Sequence, residues 1–104
     1  KIHTDYVALI LNSLFDILYK YSISKDILEK LKEGQNIYPK LISHYIKWIS
    51  KYGNLPGLVK DHHYLNKIVY DFNNHNDIVL CIIDYLAGMS DAFIIQLFNE
   101  LISF

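Results

Sequence analysis

Asp61-His62-His63 is the densest group of side chains in the chain able to ligate a metal or move a proton, because imidazole and carboxylate serve both tasks. Its spacing works against either role. Consecutive residues on a helix point about 100° apart, so His62 and His63 cannot both face one ion, and the positions four further on hold Asn66 and Lys67. The group reads as a solvated helix start, with Asp61 favourable in a first turn. His44 lies within an apolar stripe and His75 precedes another; neither has a carboxylate at helical spacing in its own helix, and both read as surface or boundary residues. Cys81 sits in the run Ile78-Val79-Leu80-Cys81-Ile82-Ile83, where a thiol is a small buried hydrophobe and not a nucleophile. Asp84 is expected as a hydrogen-bonded or partly exposed helix residue and Asp91 as a first-turn partner of a helix dipole. The sequence has no glycine-rich phosphate loop, nucleophile elbow or paired-Cys zinc spacing.

Composition narrows the chemistry further. The 104 residues, 52% hydrophobic, suit one domain with a real core. All ten basic residues are Lys, so the chain lacks the planar Arg fork that grips phosphate and carboxylate bidentately. The net charge of −1 is scattered, with no basic stripe, and nucleic acid is not expected as the main partner. The 14% aromatic content exceeds the ordinary level and fits contact with another chain or domain, although AT-rich coding also yields a bias toward Ile, Asn, Tyr and Lys. No apolar run approaches the roughly 20 residues of a membrane span and no signal peptide is visible, so a cytoplasmic protein is expected. The chain opens on Lys1 instead of Met, which reads as a processed product or an excised piece of a longer protein.

The elements that must position these residues are helical throughout. Tyr6, Leu9, Ile10, Leu14, Ile17, Leu18 and Tyr21 recur at three- and four-residue spacing, which predicts a helix beginning near Thr4 or Asp5. Ser24 is expected to open a short helix that ends at Gly34 with Asn36, and Pro39 to stand in the first turn of a third that runs to Gly53. Residues 53–57 are a loop, and Tyr64, Leu65, Ile68, Val69 and Phe72 fit a fourth helix. Asn74 or Asn76 is expected to cap a helix over 77–87, and a last helix spans 91–102. Gly88 is expected to end the first of these in the left-handed conformation, and Ser90 to cap the second. The fold class is therefore all-α, a single compact domain over 1–104 of five or six helices. The last two are joined at Gly88-Met89-Ser90, packed beside the first and third, with short connections favouring antiparallel neighbours.

The string "CIIDYLAGMSDAFIIQLFNEL", residues 81–101, resembles the C-terminal signature of bacterial deoxyguanosine triphosphate triphosphohydrolases and related enzymes of the HD superfamily, which read like V-x-D-Y-I-A-G-M-T-D-R-Y-A. The match covers Asp84, Tyr85, Ala87, Gly88, Met89 and Asp91, with Leu86 for Ile, Ser90 for Thr and Phe93 for the aromatic Tyr; Ala92 stands where the family has Arg. The resemblance implies a parent protein that hydrolyses a deoxynucleoside triphosphate to nucleoside and inorganic triphosphate. It does so on a divalent metal held by a His, a His-Asp pair and a later Asp of its HD domain. None of that pattern is present here, so the chain is expected to be inactive alone, with no catalytic or metal-ligating residue. On this resemblance Asp84, Tyr85, Gly88, Met89, Ser90 and Asp91 support structure or pocket. The expected partners are the HD catalytic domain, a deoxynucleotide substrate of the parent and further copies in a homo-oligomer. A reading outside that family is an independent α-helical interaction or regulatory module.

Overall fold

The computed structural model describes residues 4–55, 57 and 69–102, with side chains from residue 7. The helices are α1 (Thr4–Ser22), α2 (Ile27–Gly34), α3 (Pro39–Tyr52), α4 (His75–Ala87) and α5 (Asp91–Ile102), and no strand occurs among the described residues. The all-α expectation holds. The Asp61-His62-His63 group, and the helix expected around Tyr64, Leu65 and Ile68, lie outside the described residues.

Helix α1 is the centre of the packing. Ile10, Leu14 and Leu18, four residues apart, lose all solvent exposure, and α2, α4 and α5 all pack against the helix. Leu9, assigned by spacing to the same stripe, is 60% exposed. Neighbouring residues on a helix point about 100° apart, so with Ile10 inward Leu9 is carried out to solvent. Helix α3 contributes Leu41, Ile42, Tyr45 and Ile49 to the core, and α4 contributes Ile78, Cys81, Ile82, Tyr85 and Leu86. The buried Ser22 hydroxyl and the buried Tyr45 hydroxyl, 3.0 Å apart, satisfy one another and tie the end of α1 to α3.

The ends of the helices are set partly by local chemistry and partly by distant residues. Asn74 caps α4, its side chain accepting from the Asn76 N–H at 2.9 Å, so the helix starts at His75, two residues before the expected position. Ser24 does not open α2. Its hydroxyl donates to the Tyr21 carbonyl at 2.7 Å, closing α1, and the N-cap position of α2 falls to Asp26, whose side chain makes no capping bond. Pro39 opens α3 as expected, but Tyr38 before it supplies no cap. Glu100 of α5 replaces it, its carboxylate accepting from the N–H groups of Lys40 at 2.9 Å and Leu41 at 3.1 Å.

The described end of the expected fourth helix is extended and not helical. Val69 and Asp71 face outward while Tyr70 and Phe72 are buried, a two-residue alternation, and the N–H groups of Val69 and Tyr70 both donate to the Tyr52 carbonyl. Gly53 pairs with Tyr70 in an isolated parallel bridge. Helices α4 and α5 differ in direction by 112°, so the short connection does not make them antiparallel; each packs on α1 and α3 instead. No single described helix is long and apolar enough to cross a membrane.

Gly53 is required by close approach. A Cβ there would lie 2.8 Å from Cε1 of Phe72 and 2.9 Å from the Ile49 carbonyl oxygen, closer than either can yield. Gly53→Ala is expected to cost about 1–3 kcal/mol by overpacking, read as a lower urea midpoint at unchanged slope. An unchanged midpoint would contradict this packing.

Candidate functional site

The residues of the 84–91 string come together where α4 ends, against the side of α3. Tyr85 is buried on the inward face of α4, and its hydroxyl lies 2.8 Å from Nδ1 of His44. Its ring meets Tyr45 edge-on at 5.2 Å and tilts against Trp48 at 5.8 Å, while His44 packs against Phe93 of α5 at 4.7 Å. Asp84, one residue earlier, turns to the other side and accepts a 2.7 Å hydrogen bond from the Tyr70 hydroxyl. Asp84 and Tyr85 thus clamp α4 to the extended segment after α3 and to α3 itself.

Gly88 ends α4 without the left-handed conformation expected of it. Its φ of −84° and ψ of −1° are right-handed, and a Cβ would find only ordinary contacts, 3.7 Å from the Asp84 carbonyl oxygen. The break is made instead by Ser90. Its hydroxyl accepts from the Phe93 N–H at 3.2 Å and its carbonyl from the Ile94 N–H at 3.0 Å, which starts α5 in a new direction. Met89 is half-buried against the core, and Asp91 is exposed in the first turn of α5, where a carboxylate favours the helix dipole.

Around this turn His44, Trp48, Tyr85, Gly88, Met89, Ser90 and Phe93 line a cleft of about 360 Å³. Five of the seven residues carry an aromatic ring or a thioether, so its walls suit flat or apolar surface more than a polyanion. A second cleft, of about 480 Å³ and including Lys25, Asn54, Asn73 and His75, contains no residue of the string.

Electrostatics keep these groups neutral. Burial raises the Tyr85 hydroxyl well above its ordinary value, and burial together with the hydrogen-bonded carboxylate of Asp84 does the same for Tyr70. His44 is exposed overall, and the partial covering of its ring, followed by Lys47 and Lys51, holds it below its ordinary value of 6.5. Burial pushes the Cys81 thiol up to about 12, against the opposing influence of Trp48 and Tyr45, and it is not a nucleophile at neutral pH. The Trp48 indole Nε1 itself forms no hydrogen bond among the described residues. Among those residues no three His, Cys, Asp or Glu side chains converge as a metal site.

Sequence reasoning missed His44, Trp48, Tyr70 and Glu100 as partners of the string or its helices. Only the apolar stripe of α3 placed His44 and Trp48 on a common helix; nothing local signalled Tyr70 or Glu100. His75, the other isolated imidazole, makes a 3.3 Å contact with the Tyr19 hydroxyl, away from the turn. Compared with protein-family models, curated proteins and solved structures, the chain matches none.

Because Gly88 is right-handed and uncrowded, Gly88→Ala is expected to be neutral or to stabilise by up to about 1 kcal/mol, whereas Ser90→Ala costs about 1 kcal/mol. Chemical denaturation of the two variants checks the pair; a Gly88→Ala loss exceeding that of Ser90→Ala would refute the assignment of roles. The depressed value of His44 means that the unfolded chain binds a proton more readily there than the folded one. Its contribution to stability is full above pH 6.5 and lost as pH falls through the lower folded-state value. Thermal melts between about pH 7.5 and 5 should therefore fall more steeply for the native chain than for His44→Gln. Parallel curves would remove His44 as the cause.

Proposed function

We propose that the chain is a non-catalytic helical region that supports the HD catalytic domain of a deoxynucleoside triphosphate triphosphohydrolase of the cytoplasm, shaping the nucleotide pocket or the oligomer interface. One observation carries this reading. Three polar groups of the resembling string are committed to holding structure, Asp84 by Tyr70, Tyr85 by His44 and Ser90 by the Phe93 N–H, while the same turn lines a cleft that suits packing against another surface. Side chains engaged in this way position helices. They are not free to attack phosphorus or to ligate an ion.

The absence of Arg from the chain, including Ala92 where the family carries one, supports the same division of labour. On this reading the triphosphate is gripped, and the divalent metal held, by the partner domain. There water cleaves a deoxynucleoside triphosphate to nucleoside and inorganic triphosphate. The second reading, an independent α-helical interaction or regulatory module, is favoured by one feature, the exposed apolar Leu80 and Ile83 on the outer face of α4.

The gene that encodes the chain decides between them. The coding sequence preceding Lys1 is expected to contain a His…His-Asp…Asp series. The purified whole product should release inorganic triphosphate from deoxynucleoside triphosphates only with manganese or magnesium, and the 104-residue chain alone should release none. An upstream sequence without that series, or metal-dependent release by the isolated chain, would overturn the proposal.

A further inference from the structure

The scattered charge of the sequence conceals a local stripe. Lys40, His44, Lys47 and Lys51 recur at four-, three- and four-residue spacing on α3, which places them on one face over about 17 Å. Helix α3 contains no Asp or Glu. Lys40, His44 and Lys47 are exposed and Lys51 is half-buried, and among the described residues neither Lys40 nor Lys47 forms an ion pair. Lys47 and Lys51 sit close enough to His44 for their charge to act on its ring.

This stripe borders the cleft at the α4–α5 turn. His44 belongs to both, and Trp48, one turn further along α3, forms the next part of the wall with Tyr85, Met89 and Phe93. At about 360 Å³ the cleft admits a large side chain but not a helix, which is about 10–12 Å across. Its rings are recessed, with Tyr85 buried and Trp48 and Phe93 half-buried. His44 and Trp48 lie between Lys40 and Lys51 along the helix, so a side chain inserted there has lysines before and behind it. Two carboxylates stand nearby. Glu100 commits both oxygens to the N–H groups of Lys40 and Leu41, and Asp91 is exposed beside Ser90.

We propose that the α3 stripe and the aromatic cleft together dock an acidic segment of a partner protein. One large apolar side chain of that segment enters the cleft, and carboxylates on either side of it face Lys40, Lys47 and Lys51. Charge complementarity selects the carboxylates. The recessed rings select the apolar anchor, since interface energy concentrates where such a side chain fills a pocket rimmed by polar contacts. The lysines are point charges that suit separate carboxylates, and they lack the Arg fork that grips one phosphate bidentately. A broad polyanion fits less well. A nucleic-acid strand or an anionic bilayer extends past the stripe and meets the exposed carboxylate of Asp91, and a bilayer is entered by protruding apolar side chains instead of recessed ones. A narrow peptide covers the stripe and the cleft alone.

The inference rests on the reading of the cleft as a packing surface, and its test uses the 104-residue chain with synthetic peptides, so its failure leaves the upstream-sequence test untouched. Trp48 is the only Trp of the chain and lines the cleft, so its fluorescence reports occupancy directly. A Trp-free peptide with Glu and Asp on both sides of a single Phe should change that fluorescence saturably. Replacing its Phe by Ser, or its acids by Gln and Asn, should each weaken binding at least tenfold, and raising the salt from about 0.05 to about 0.5 M should weaken it too. Lys47→Glu should weaken binding at least fivefold, and the milder Lys47→Gln about twofold, with the helical far-UV spectrum kept. Lys20→Glu makes the same change of charge next to Tyr19, which contacts the opposite end of α4, and should leave binding unchanged. No saturable signal would overturn the inference. So would binding indifferent to the Phe, the acids or Lys47, an equal loss in Lys20→Glu, or equal binding by oligothymidylate or phosphatidylserine vesicles.

Discussion

Covering one stripe of α1 is the constraint on which the other contacts depend. Ile10, Leu14 and Leu18 are fully buried, and full burial of side chains of this size is worth about 1.5–3 kcal/mol each. No single helix can shield a stripe from every side, and three do so here: α2 near its C-terminal end, with α4 and α5 alongside. Helix α3 then closes the far side by packing on α2, α4 and α5, and it reaches α1 through the buried Ser22–Tyr45 hydrogen bond. That bond satisfies two hydroxyls that would otherwise be stranded in an apolar core, so α1 and α3 are held in one relative position.

The 112° turn between α4 and α5 follows from the same requirement. Two antiparallel helices joined at 88–90 would bury each other, whereas two steeply crossed ones can both reach α1 and α3. Ser90 provides the local means by capping α5 in its new direction, and Tyr85 and Phe93 fill the angle with rings packed on His44 and Trp48. Glu100 completes the arrangement from the other end of α5, since its carboxylate serves the N–H groups at the start of α3 that Tyr38 leaves unserved. The cleft at the turn is thus a by-product of how the core is covered, and its aromatic lining comes from residues that also hold the helices together.

Among the described residues, the titratable groups packed around the core are held neutral. The Cys81 thiol is buried and protonated, the phenols of Tyr45, Tyr70 and Tyr85 are hydrogen-bonded, and His44 is neutral at physiological pH. On the outer side of α4, Leu80, Ile83 and Ala87 remain exposed.

The features legible in the sequence were those decided within a few residues. The four-residue spacing of Ile10, Leu14 and Leu18 specifies a helix whatever surrounds it, and Pro39, Asn74 and Ser90 mark helix starts because their own geometry or side chains act on the nearest backbone groups. Cys81 was legible as buried because its neighbours are apolar on both sides. Tertiary structure decided the rest, since the competing local states differ by little and distant contacts choose between them. The spacing of Val69 and Phe72 fitted a helix, but hydrogen bonds to the Tyr52 carbonyl and the burial of Tyr70 and Phe72 made that segment extended. Ser24 had two carbonyl and N–H environments within reach and took the end of α1; Gly88 had access to both hands of φ and took the right-handed one. The partners that define the candidate site are invisible to any local pattern: His44 and Tyr85 are separated by 41 residues, and Glu100 lies 59 from Leu41. Only the packing of α4 and α5 across α1 and α3 brings them together.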